Sequence, residues 1–184
     1  MHVPAVVKHV AKVQTAAAME TLRQDVYNRR YNVMVYGLQG PAYEDEEATE
    51  ALVLDWVKVN LNIDTPVYAI GRAHRLKRGE ANCGIIVRFN RHGLAEKWVS
   101  AATRIGRQLK QMKVSLVQDL PPALRITRNA LLAKRADAMK AGDVEKAFVR
   151  HVPTYPFVQL VVQKKVVGAG PAPPREIINP EESR

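Results

Sequence analysis

The chain has 184 residues, 47% of them hydrophobic and 25% charged, with 28 Lys and Arg against 18 Asp and Glu. That balance excludes wholesale disorder and a fibrous repeat, and the length allows one ordinary domain or two small ones. Asp55, Lys58, Gln163 and Lys164 interrupt the longest apolar runs, so no membrane span is expected, and the single cysteine, Cys83, leaves neither an internal disulfide nor a thiolate metal cluster and fits a reducing intracellular setting.

Val3, Val6, Val10, Val13 and Ala17 recur three and four residues apart. This predicts a helix over residues 3–26, either a lone amphipathic helix or the end of an oligomerising coiled coil. Lys8 and Lys12 within it fit a secretory signal poorly. After Arg29 and Arg30, the β-branched and aromatic run Tyr31–Leu38 predicts a strand stopped by Gly37, Gly40 and Pro41. The acidic cluster Glu44–Glu47 suits a helix N-terminus, and Ala51, Leu52, Leu54, Trp56, Val59 and Leu61 give that helix its apolar contacts, so the acids need no metal to explain them. Val67–Leu76 predicts a strand running into a basic loop at Lys77–Gly79, and Gly84–Phe89 a short strand. A second helix is expected at about 91–103, with Leu94, Trp98 and Ala102 on one side and Gly106 as its stop. A basic loop carrying Arg104, Arg107, Lys110 and Lys113 then leads to a strand at Val114–Val117.

This order, strand-helix-strand-strand-helix-strand, is that of a ferredoxin-like α+β domain, in which two helices cover one face of a four-stranded antiparallel sheet and leave the other face free. Pro121 and Pro122 mark a boundary, followed by a predicted helix over 123–141 stopped by Gly142. Strands are expected at Ala147–His151 and Phe157–Val162, with Val166 and Val167 extending the hairpin. From Gly168 the Gly, Ala, Pro and charged composition predicts a disordered tail. The expected organisation is an N-terminal helix (1–28), the α+β domain (29–120), a small α+β C-terminal domain (121–167) and the tail (168–184).

Charge is unevenly distributed. Between Ile70 and His151 there are 18 basic and 6 acidic residues, whereas the remainder holds 10 and 12. A concentrated cationic surface attracts a polyanion through counterion release, and nucleic acid is the commonest intracellular polyanion.

Residues 29–38 (Arg-Arg-Tyr-Asn-Val-Met-Val-Tyr-Gly-Leu), Arg72–Leu76, Gly84–Phe89, Val117–Pro121 and Arg125–Arg128 form an ordered set of motifs. In this set, over about residues 28 to 167, the sequence resembles the RNA-binding protein encoded by the first open reading frame of LINE-type non-LTR retrotransposons. The resemblance implies an RRM-like domain with a small C-terminal domain; the residues themselves lead to the expectation of neither an enzymatic activity nor a cofactor. It implies sequence-tolerant binding of single-stranded RNA, single-stranded DNA being left open, and nucleic-acid chaperone activity in a cytoplasmic or nuclear ribonucleoprotein of the transposable element. It also implies a homotrimer built on the N-terminal coiled coil.

An ordinary RNA-recognition motif stacks bases on aromatic side chains of its central strands. Here Met34, Gly84 and Ile86 stand at those places. By alternation Val33, Val35, Val87 and Phe89 point into the core, while Met34, Tyr36, Ile86 and Arg88 share the other face. Tyr36 is then the one ring on that face, as a base contact or as plain packing, and affinity must come mainly from phosphate contacts. The candidate nucleic-acid-binding residues are Arg29, Arg30, Tyr36, Arg72, Arg75, Arg88, Arg104, Arg107, Lys110, Arg125 and Arg128, since guanidinium forks hold phosphates bidentately. By resemblance, Arg104, Arg107, Arg125 and Arg128 fall where the family carries RNA-contacting cations.

No catalytic constellation is found. His74 has no carboxylate or serine spaced to form a triad, and Asp119 before Pro121 reads as a turn or helix-cap residue. Cys83 reads as inert core, Gly37 and Gly40 lack a following Gly-Lys-Ser/Thr, and the five histidines lack paired metal spacing. The competing expectation is a self-associating assembly protein whose charge serves solubility.

Overall fold

A computed structural model describes residues 3–41, 45–77, 80, 83–141, 144–152, 158–164 and 175–179. The chain divides into two compact units, Met1–Leu120 and Pro121–Arg184. Both are α+β and both sheets are antiparallel.

The first unit opens with helix α1 (Val3–Arg29), which runs three residues past its expected end. The side chains of its expected seam at Val3, Val6, Val10 and Val13 lie outside the described residues. Its last turn is clasped by two carboxylates. Arg29 Nε donates to Asp25 Oδ1 at 2.6 Å, and one terminal nitrogen donates to both oxygens of Asp119 at 3.1 Å. Asn32 Nδ2 also donates to Asp119, at 3.1 Å. The expectation that Asp119 is a turn or cap residue is therefore corrected. It is 5% exposed and spends its oxygens on Arg29 and Asn32, while the following helix has Pro121 at its N-cap with no side-chain bond.

Strand β1 (Asn32–Tyr36) stops at Gly37, whose φ is +81°. A Cβ there would stand 2.0 Å from the Lys113 carbonyl oxygen, so only glycine fits this close approach. Helix α2 (Glu46–Leu61) begins with Asp45 accepting from the Ala48 amide at 2.7 Å, carries Glu46 and Glu47 in its first turn, and ends on Asn62 in the left-handed conformation. The predicted strand at Val67–Leu76 begins instead with a 3-10 turn over Val67–Ala69, and β2 spans Ile70–Arg75 with a register shift between Ile70 and Arg72. After β3 (Ile85–Phe89) and α3 (His92–Arg104), the expected basic loop is in fact a short helix, α4 (Gly106–Gln111). Gly106, expected as a stop, starts α4, because Leu109 buries its side chain and gives these residues a reason to be helical. Strand β4 (Ser115–Gln118) completes the sheet, whose order is β2-β3-β1-β4.

Val33, Val35, Ile85, Val87 and Phe89 on one sheet face form the core with Val53 and Val57 of α2 and Ala95, Trp98 and Ala102 of α3. Both helices therefore cover the same face. Trp98 is fully buried, sets its ring edge-to-face against Phe89 at 4.8 Å, and donates Nε1–H to Thr65 Oγ1 at 2.9 Å. The indole thus buries its whole apolar body without leaving its one donor unpaired.

The second unit comprises α5 (Pro122–Lys140), β5 (Val144–His151), β6 (Val158–Lys164) and β7 (Glu176–Ile178). The strands lie in the order β5-β6-β7. Arg135 Nε on α5 donates to the Ala147 carbonyl at 2.7 Å. Strand β7 corrects the expectation of a wholly disordered tail. Ile178 pairs with Leu160 and Glu176 with Val162 along the edge of β6, and Gln159 bonds Asn179 at 3.1 Å. A sheet edge offers unpaired backbone groups, and a three-residue segment suffices to take them. The expectations placed on Glu44, Arg78, Gly79, Gly142, Phe157, Val166, Val167 and residues 168–174 lie outside the described residues.

Candidate nucleic-acid interface

Strand alternation sorts the side chains of the first sheet. Opposite the core face, Met34, Ile86 and Val117 share one cross-strand row, with His74 paired to Ile86 at its end. A second row holds Asn32, Arg88 and Arg72. The first row is a low apolar strip and the second is polar and cationic. The centre of this face is not bare, because Met34 is only 5% exposed and Ile86 and Val117 are half-buried. Tyr36 is 36% exposed, with its ring against strand β3. A Cβ on Gly84 would stand 2.7 Å from the Tyr36 ring, so the ring lies in the gap that this glycine leaves.

The candidate cations fall into two groups. In the first, the charge is already engaged. Arg29 is held by Asp25 and Asp119. Arg72 Nε donates to Glu46 at 3.0 Å, which raises the guanidinium and pulls the Glu46 carboxyl below its ordinary range through the same hydrogen bond. Arg75 is 9% exposed and donates to the carbonyls of Leu38 and Cys83 at 3.1 Å, tying the end of β2 to two loops. The Arg30 guanidinium lies 3.8 Å over the Tyr27 ring and donates to the Tyr31 hydroxyl at 3.1 Å, the bond that chiefly raises its pKa.

In the second group the charge faces solvent. Arg88, Arg104, Arg107 and Lys110 are exposed and have no side-chain partner among the described residues. Arg107 and Lys110 are three apart on α4, the spacing that places side chains on one helix face, and Arg104 closes α3. Helix C-termini favour cations, which gives Arg104 and Lys110 a local role as well. On α5 of the second unit, Arg125 is exposed and Arg128, one turn on, is half-buried. Burial pulls the Arg128 guanidinium below its ordinary value, and no counter-charge faces it among the described residues.

Sequence reasoning missed two polar atoms on the open sheet face. Asn32 Oδ1 and His74 Nδ1 are buried and lack a hydrogen-bond partner among the described residues. They flank Arg88 and Ile86 respectively in the pairing register. Alternation from Met34 along β1 would have put Asn32 on this face, but which of these atoms go unmatched depends on neighbours distant in the chain. Among the described residues no cluster of His, Cys, Asp and Glu could hold a metal ion, and no helix is long and apolar enough to cross a membrane.

Neither a protein-family model nor a curated protein matches the chain.

Proposed function

We propose that this protein binds single-stranded RNA mainly through phosphate contacts, with low sequence specificity. We read it as the RNA-binding, chaperone component of a ribonucleoprotein like those of the LINE-type elements its sequence resembles. The observation that carries the reading is the division among the cations. Arg88, Arg104, Arg107 and Lys110 stand exposed and without a counter-charge among the described residues, while the arginines beside carboxylates are already neutralised. Free guanidinium and ammonium groups can exchange counterions for phosphates at little cost, and that exchange is the main driving force for sequence-tolerant binding. Arg128 adds to this, since a half-buried guanidinium with no counter-charge among the described residues gains from an arriving anion.

The strand order β2-β3-β1-β4, with α2 and α3 against one face, supports a ferredoxin-like, RRM-like assignment for the first unit. The near-absence of rings on its open face favours phosphate contacts over base reading there. Self-association through α1, as a trimer, fits the same family reading.

The test is a salt titration of the full chain with single-stranded oligoribonucleotides of unrelated sequence. Affinity is expected to fall steeply with added salt and to differ little between sequences. A flat salt response in a chain that still self-associates would overturn the reading in favour of an assembly protein.

A further inference from the structure

The 3-10 turn ahead of β2 carries a feature that neither the core nor the cationic surface uses. Tyr68 is 82% exposed, and its ring and hydroxyl make no ring pairing or hydrogen bond among the described residues. The backbone beneath it is held by four hydrogen bonds. Ala69 N donates to Pro66 O at 2.9 Å, Ile70 N to Val67 O, and Asn90 N to Ala69 O at 3.0 Å. Asn90 Nδ2 donates to the Tyr68 carbonyl at 2.7 Å. Gly71 makes this last bond possible, because a Cβ there would meet Asn90 Oδ1 at 2.9 Å. The turn is thus clasped by the residue that follows β3, and the Tyr68 side chain is left without a hydrogen bond or ring pairing among the described residues.

The charge around this turn favours one kind of occupant. Arg88 lies two residues before Asn90 in the chain and Arg91 directly after it, both exposed and both without a partner among the described residues. The nearby carboxylates are committed, Glu46 to Arg72 and Asp64 to Lys58. An apolar protein surface would gain a single ring and Val67 and would meet two uncompensated cations. A single strand of nucleic acid offers a flat base for the ring and phosphates for the guanidinium groups on either side of the clasping asparagine.

We propose that Tyr68 is a base-stacking residue for single-stranded nucleic acid, on a turn held by Asn90, with Arg88 and Arg91 on either side of that asparagine in the chain as the phosphate-binding cations. The proposal rests on the nucleic-acid reading above and assigns the stacking contact that the open sheet face lacks. A ring on a clasped turn needs little further ordering when a base arrives, and stacking accepts any base, in keeping with low sequence specificity.

The test uses the full chain with Tyr68→Trp, Tyr68→Ala and Tyr68→Phe. The parental protein, whose Trp56 is half-buried and Trp98 buried, supplies the fluorescence background. Emission from the new indole should be quenched at saturation by an oligouridylate of about ten nucleotides, and should be unmoved by inorganic polyphosphate, which matches the charge and has no bases. Tyr68→Ala should weaken oligouridylate binding by about tenfold while Tyr68→Phe keeps it, with melting temperatures unchanged. Unquenched emission at saturation, or parental affinity in Tyr68→Ala, would overturn the proposal. If either result comes with binding that still depends on Arg104 and Arg107, the nucleic-acid reading survives and the exposed ring belongs to a protein contact. If the parental chain binds no oligouridylate, both fall together.

Discussion

Single residues decide several of the packing solutions here, and two of them give measurable free energies. Thr65 exists in the core as the acceptor for the buried Trp98 donor. Thr65→Val keeps the shape and removes the oxygen, so it should cost about 1–2 kcal/mol in urea denaturation, the penalty of a buried donor left unpaired. A value near zero would mean that the indole N–H finds another acceptor. Arg29 and Asp119 form the second case. Asp119 is buried and Arg29 is one-third exposed, so the pair is neither a surface ion pair nor a fully desolvated one. Asp119→Ala should destabilise by about 2 kcal/mol, because it takes away one of the two carboxylates of Arg29 and leaves Asn32 Nδ2 without its acceptor, and a double-mutant cycle with Arg29→Ala should return a coupling of about 1 kcal/mol. Asp119 shows where local reading fails. Its spacing before Pro121 suits a turn, and nothing local reveals a partner ninety positions away in the chain.

At the scale of elements, α2 carries a titration that can be followed. Glu50 is half-buried, and its carboxyl is pushed above the ordinary range by burial first and by the neighbouring Glu47 charge second. A carboxyl with a raised folded pKa destabilises the fold when ionised, and the cost disappears once pH falls below the unfolded carboxylate range. Glu50→Gln should therefore stabilise at pH 7 by up to about 0.5 kcal/mol, and the difference should vanish near pH 3 in matched thermal melts. The α3–α4 corner makes a different prediction. Replacing Arg104 and Arg107 together with glutamate should weaken single-strand binding severalfold and shift the melting temperature little, since both side chains are exposed and unpaired among the described residues. Unchanged retention in a gel-shift assay would remove this corner from the interface. The strands with alternating β-branched residues, β1 and β3, could be read from sequence to within two residues or so because each is half core and half surface. The helix α4 and strand β7 could not. One depends on burial of Leu109 alone, and the other on a vacant sheet edge supplied by β6.

For the whole molecule, the distribution of charge matters more than its sum. A net charge of +10 suggests a polyanion partner, yet much of the positive charge is consumed internally, and only the structure separates engaged cations from free ones. If Arg88, Arg104, Arg107 and Lys110 each neutralise one phosphate, the logarithm of affinity should fall against the logarithm of salt with a slope of about −3, at roughly 0.7 per phosphate on a single strand. A slope near −1 would mean that most of these groups stay in solvent. The sequence reading chose its cations by residue type and position, so it included Arg29, Arg72 and Arg75 beside the free ones. Position alone could not reveal that carboxylates and carbonyls had reached those three first.

The clasp at Arg29 also has a mechanical meaning. It bolts the last turn of a 27-residue helix to the end of β4, so tension or torque on that helix reaches the sheet with little slack. At 1.5 Å per residue the lever is about 40 Å long. Anything that gripped its far end would set both the distance and the azimuth at which the first unit's sheet is displayed.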